Sequence, residues 1–208
     1  MYKLKRVSSR EEFRKNIAAN DNFVDIDILP WGGDYRPKCR ANVCSDFTRG
    51  GLWVYLEAEE HPDDMRITQT KPDGSVWEDS CLEMFISPIP GRGYFNFENN
   101  PLGTILCGVH VGEINGQPGG NEMSDFDMVA TRSYIGNGLV RWSVEFFVPW
   151  SYFKRYLPDF DPKPGDLMKV NFYKCGDKTA HRHYLCWNRV GCPQINFHVP
   201  EYFGDMTV

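Results

Sequence analysis

Apolar residues in this chain recur mostly at every second position. Val140, Trp142, Val144, Phe146 and Val148 alternate with polar neighbours, as do Leu52, Val54, Leu56 and Ala58. A period of two is that of a strand with one buried face. Phe95 and Phe97 alternate with Tyr94, Asn96, Glu98 and Asn100, and Val170 and Phe172 alternate with Asn171 and Tyr173. Gly136-Asn137-Gly138 predicts a hairpin between strands at 128–135 and 139–148. Thr48-Arg49-Gly50-Gly51 predicts another between 40–47 and 52–57. Further strands are expected at 23–28, 76–87, 93–99, 104–111, 167–174, 184–187 and 206–208. The glycine-rich, acidic stretch 112–127 reads as a loop.

Helical signals are few. Ser8 or Ser9 can cap a helix over 10–19, Glu11 or Glu12 completes a capping box, and Phe13 and Ile17 supply an apolar stripe. A second short helix is expected at 151–156. Short strands without intervening long helices predict an all-β, antiparallel β-sandwich with a short N-terminal helix. Strands 76–87 and 139–148 should lie inside their sheets. The chain reads as a single domain over 1–208, with 1–22 as a helical extension.

Charge narrows the partners. Lys plus Arg number 23 against 28 Asp plus Glu, a formal balance of -5. The only basic cluster, Lys3, Lys5, Arg6, Arg10, Arg14 and Lys15, is interrupted by Glu11 and Glu12, so no nucleic-acid partner is expected. No apolar run long enough to span a bilayer occurs, and no export signal follows Met1-Tyr-Lys-Leu-Lys-Arg, so no membrane partner is expected. Seven Cys at irregular spacing contain no CxxC pair. They are expected to be free thiols in a cytoplasmic protein. The oligomeric state is left open.

Six Trp, ten Tyr and fourteen Phe are enough rings to fill a core and leave some for a binding surface. Tyr94, Asn96, Glu98 and Asn100 share one face of their strand, and amides, carboxylates and rings together suit a sugar. Polar side chains meet its hydroxyls and rings cover its C–H faces. The same alternation also describes an ordinary solvated face. Trp77 is a stacking platform or an edge-packing ring. Glu83, between Leu82 and Met84, needs a partner or a ligand. Trp187 is a ligand ring or a core ring, and Trp142 is core from its apolar face-mates. Glu83 with Glu98 is the one candidate glycosidase pair. His181-Arg182-His183, flanked by Cys175 and Cys186, fits no standard zinc spacing, so no metal residues are assigned.

The run from Val76 to Ile86, with its Trp77, Asp79-Ser80 and Leu82-Glu83-Met84-Phe85, resembles the signature of family 9 carbohydrate-binding modules. So do Tyr94 to Glu98, Trp142 to Glu145 followed by Val148-Pro149-Trp150, Asn171-Phe172-Tyr173, Trp187-Asn188, and Phe197 to Gly204. These matches are collinear from about Ile28 to Gly204. The resemblance implies a β-sandwich of the DOMON-like group that binds a mono- or oligosaccharide in a surface cleft without cleaving it, in service of glycoside hydrolysis. It implies that Trp77 and Trp187 sandwich the sugar over a floor of Glu83, Asn96 and Glu98. Tyr184 stands where the family has an Asn three residues before the second Trp, and Asn188 follows that Trp. No cofactor is required. Structural calcium is implied as possible, with Asp125 and Asp127 as candidate ligands. A haem-binding member of the same group would need an axial pair such as His110 with Met65 or Met84.

Overall fold

The structure is a computed structural model that describes all residues, 1–208. Its elements in chain order begin with β1 (Tyr2–Lys3), β2 (Lys5–Arg6), α1 (Arg10–Ala18), β3 (Phe23–Asp25), β4 (Lys38–Asp46) and β5 (Gly51–Glu60). β6 (Cys81–Ser87), β7 (Tyr94–Asn99), β8 (Ile105–Val111) and β9 (Ile114–Gly116) follow. The last third holds β10 (Val129–Gly136), β11 (Leu139–Pro149), α2 (Trp150–Lys154), β12 (Leu167–Cys175), β13 (Tyr184–Cys186) and β14 (Gly204–Thr207). No helix is long and apolar enough to cross a membrane.

Two sheets face each other. One has eight strands in the order β1-β14-β12-β6-β7-β8-β9, with β13 also paired to β12. The other has six, β10-β11-β5-β4-β2, with β3 also on β4. β6 and β11 are flanked on both sides, as the alternation predicts. The sheets are mixed rather than purely antiparallel, because β1 runs parallel to β14 and β2 runs parallel to β4. The N-terminal residues are therefore more than a helical extension: β1 joins one sheet and β2 the other. α1 then lies on the outer face of the six-stranded sheet.

The apolar periods fix what fills the space between the sheets. Leu52, Val54, Leu56 and Ala58 meet Trp142, Val144, Phe146 and Val148 within one large core cluster, and Met84, Phe95, Phe97, Val170 and Phe172 close it from the other side. α1 starts where Ser9 Oγ accepts the Glu12 N–H. It buries Phe13 on Trp53 at 5.9 Å, with Arg10 and Arg14 paired to Glu145. That pairing takes up part of the basic cluster.

Two boundaries differ from the sequence reading. The strand expected at 76–87 begins only at Cys81; Val76–Glu78 is a single 3-10 turn. The cause is the side chain of Asp79. It is fully buried and accepts from the Thr68 and Gln69 N–H groups, the Thr68 hydroxyl and the Asn100 amide, beside the Arg66 guanidinium at 3.3 Å. Satisfying that many donors pulls the chain out of the ladder. The stretch 112–127 also carries order: β9 extends the eight-stranded sheet and Met123–Phe126 forms a 3-10 turn that buries Phe126.

Candidate functional site

The outer face of the eight-stranded sheet is not a solvated face. Parity sends Cys81, Glu83 and Phe85 of β6, Tyr94, Asn96 and Glu98 of β7, and Tyr173 and Cys175 of β12 away from the main core. The segment after β13 folds back over them. Phe197 stacks on Tyr173 at 3.9 Å, and the Tyr173 hydroxyl donates to the Phe197 carbonyl. Val190, Val199 and Phe203 join Phe85 and Tyr173 in a second apolar cluster. That cover is incomplete. It leaves a cavity of about 670 Å³, within the range of small-molecule sites.

The cavity has polar groups on its floor and rings around it. Glu83, Asn96 and Glu98 lie on the floor, while Trp77, Tyr94, Tyr184 and Phe197 stand around it. Glu83 and Glu98 are cross-strand partners, as are Asn96 and Gly108. Gly108 is required here, because a Cβ would fall 2.0 Å from the Asn96 Oδ1. Asn96 Nδ2 donates to Glu98 Oε1 at 2.9 Å, and His110 Nε2 donates to Asn96 Oδ1 at 3.1 Å. His110 stacks on Tyr94 at 4.3 Å, and the Tyr94 hydroxyl meets His198 Nδ1 at 3.0 Å. Trp77 is held at the rim by its turn, whose Trp77 and Glu78 carbonyls accept from the Asp177 and Lys178 N–H groups.

Burial sets the protonation of the floor. Glu83, 2% exposed, is held well above the usual carboxylate range by desolvation, with the Cys175 thiol and Glu98 adding to it. Glu98 is pushed up to about 7, mainly by desolvation, against the lowering effect of the Asn96 bond. The Glu98 Oε2 is buried with no hydrogen-bond partner in the protein. Desolvation also holds His110 low and brings His198 down to about 4, so both rings are neutral at pH 7.

Of the seven residues proposed from sequence, the cavity brings together Trp77, Glu83, Asn96, Glu98 and Tyr184. Trp187 and Asn188 are elsewhere. Trp187 packs on the inner face against Phe172 at 5.7 Å and Tyr2 at 6.0 Å. A cleft walled by Trp77 and Trp187 therefore does not exist in this fold. Asn188 is a loop staple: its Nδ2 donates to the Tyr202 carbonyl, and its backbone exchanges two bonds with the Asn171 amide. Tyr184 and Phe197 line the cavity together with Trp77 instead. Tyr94, His110, Asp177, Phe197 and His198 also line the cavity, outside the seven residues proposed from sequence. Strand parity marks Tyr94. Phe197 belongs to the matched run from Phe197 to Gly204, but no local signal directs it to the cavity, which it reaches by chain reversal.

The other candidates do not assemble. Met84 is in the inner core, on the opposite face from His110, and Met65 lines a different depression beside Ile67 and Ala130, so neither pairs with His110 as a haem axial set. His183 accepts from the buried Lys174 ammonium at 2.7 Å, while His181 faces Asp64. Asp125 caps its own turn at the Glu122 N–H, and Asp127 pairs with Arg49. These two carboxylates do not fit a calcium cage of six to eight oxygens.

The family model for carbohydrate-binding family 9 matches residues 14–208. No curated protein matches the sequence. Among solved structures, a Bacteroides uniformis protein provisionally described as carbohydrate-binding is 26% identical. Its match covers 99% of this chain and 97% of that one, with a TM-score of 0.82. A family 9 module from Caldicellulosiruptor kristjanssonii, solved with glucose, is 11% identical over 99% and 93% of the two chains, with a TM-score of 0.58. The same organism's module with cellotriose is 10% identical over 99% and 91%, again with a TM-score of 0.58.

Proposed function

The chain belongs to carbohydrate-binding family 9, and from that premise we propose that its outer-face cavity binds a mono- or oligosaccharide without cleaving it. One observation carries this reading: Glu83, Asn96 and Glu98 converge on a floor surrounded by Trp77, Tyr94, Tyr184 and Phe197. A sugar ring needs acceptors and donors at its edge and flat apolar cover over its C–H faces. The floor offers both hydrogen-bonding roles, since burial favours the protonated, donating form of Glu83 and Glu98 accepts in its ionised form. The free Glu98 Oε2 is the natural acceptor for a hydroxyl. The two carboxyls are neighbours on one sheet surface. They do not face each other across a cleft, as a pair bracketing a glycosidic bond would.

A glycan array followed by calorimetry on each hit tests this reading, with glucose and cellotriose among the ligands. Affinities in the micromolar to millimolar range, about -4 to -8 kcal/mol, are expected. Trp77→Ala should weaken binding about tenfold while leaving the fold intact, because the ring stands at the rim. An array without hits, or a Trp77→Ala variant that binds as tightly as wild type, would contradict the proposal.

The Glu98 carboxyl gives a pH dependence whose sign follows from its environment. A hydroxyl donates more strongly to a carboxylate than to a carboxylic acid. Affinity is therefore expected to rise as pH passes upward through about 7, and Glu98→Gln should flatten that rise. Stability moves the other way. A carboxyl raised from 4.5 to about 7 by burial is protonated more readily in the folded chain. Its favourable contribution is complete below about 4.5 and is lost as pH climbs to about 7. Calorimetric titrations and thermal melts at pH 5.5, 7 and 8.5 check both signs.

A further inference from the structure

We propose that Cys81, Glu83 and Cys175 form a site for one borderline-soft divalent metal ion of the Zn²⁺ class on the floor of the cavity. Cys81 and Glu83 are two residues apart on β6, so both side chains leave the same face. Cys175 is the direct cross-strand partner of Cys81 on β12. One ligand atom from each of the three lies within 4.8 Å of the others, and Cys175 Sγ is 2.9 Å from Glu83 Oε1. Two residues at i and i+2 on one strand and a third on its neighbour present three ligands from a rigid surface. Zinc bonds of about 2.0–2.3 Å require ligand atoms about 3.5 Å apart, within reach by small side-chain rotations. Three protein ligands leave a fourth position, and Glu83 and Cys175 both line the cavity that would open onto it. Two sulfur ligands select a zinc-like ion over calcium or magnesium.

A second feature points to a cation. Glu98, the cross-strand partner of Glu83, keeps a buried carboxylate oxygen with no partner on the same floor. Glu83, Glu98 and Asp177 line the cavity, and no Lys or Arg does. Lys174, next to Cys175, pairs with Glu60 and His183 and touches this cluster only at the Cys175 backbone carbonyl, not at a ligand atom. Binding is a displacement of protons: the two thiols and the Glu83 carboxyl each lose one to solvent, and three metal–ligand bonds replace two S–H bonds and one O–H bond. Burial pushes Cys81 up to about 12 and raises Cys175 and Glu83 above their ordinary values. The ion must therefore compete with protons, and its affinity should increase with pH.

The test is a Co²⁺ titration of the reduced chain followed by Zn²⁺ displacement. One equivalent of Co²⁺ should produce a sulfur-to-cobalt charge-transfer band, and Zn²⁺ should bleach it. Cys81→Ser and Cys175→Ser should each weaken the metal at least about 100-fold, whereas Cys192→Ser, at a distant loop, should not. X-ray absorption on the wild-type chain loaded with one Zn²⁺ keeps the test decisive if the serine variants fold poorly. Two sulfurs at about 2.3 Å and lighter atoms at about 2.0 Å are expected. No charge-transfer band at one equivalent, a band that survives in both folded serine variants, or a zinc shell without sulfur would overturn the proposal.

Discussion

Trp142→Ala is expected to destabilise the fold by about 3–5 kcal/mol, the cost of emptying a large buried aromatic site. Trp142 is fully buried in the main core, on the inner face of β11. Its indole N–H donates to the Glu60 carboxylate at 2.6 Å, and Glu60 in turn holds Lys174 at 3.2 Å. The substitution therefore removes packing and also takes a donor from a buried ion pair, a loss the alanine cannot repair. Urea unfolding monitored by circular dichroism measures it. Sugar affinity should be unchanged wherever the variant remains folded, because Trp142 is absent from the cavity lining. A loss below about 1 kcal/mol would mean that the core is not organised around this ring.

Asp79→Ala is expected to damage stability and binding together. Asp79 collects four hydrogen bonds and the Arg66 pair while fully buried. Removing it strands donors from Thr68, Gln69 and Asn100. Breaking such an arrangement from one side costs about 2–4 kcal/mol, moderated because Arg66 remains partly exposed and can turn to water. Its special interest is position. The same carboxylate fixes the turn that carries Trp77 two residues earlier. Calorimetric melting paired with sugar titration should show both a lowered Tm and weaker affinity. Weaker affinity without a Tm change, or the reverse, would separate two roles that the structure joins.

Much of this was legible from spacing alone. The period of two identified the inner faces of β5, β7, β11 and β12, and the same parity put Asn96 and Glu98 on the opposite side; Glu83 joined them through the family resemblance. The Trp187 assignment failed for a reason also present in that parity. Tyr184 and Trp187 are three residues apart, an odd interval, so a single strand cannot send both to one face. Motif order outweighed geometry there, and the structure restores the geometry. The Asp79 hub was hidden because its donors come from Thr68, Gln69 and Asn100, which no local pattern joins. Phe197 was hidden because its place depends on how the segment after β13 reverses. Cys81, Glu83 and Cys175 were unreadable as a group for a related reason. A cross-strand pair brings the third residue in, whereas zinc spacing rules address ligands close in sequence.

Sugar binding is expected on the outer face of the eight-stranded sheet. A titration of isotope-labelled protein with the best glycan-array ligand, followed in ¹H–¹⁵N correlation spectra, reads this directly. Shifts are expected at the Trp77 indole N–H, the Asn96 side-chain amide and the backbone of Tyr184 and Phe197, with the Trp187 indole unmoved. Shifts that centre on Trp187 and Asn188 while Trp77 and Asn96 stay silent would contradict it.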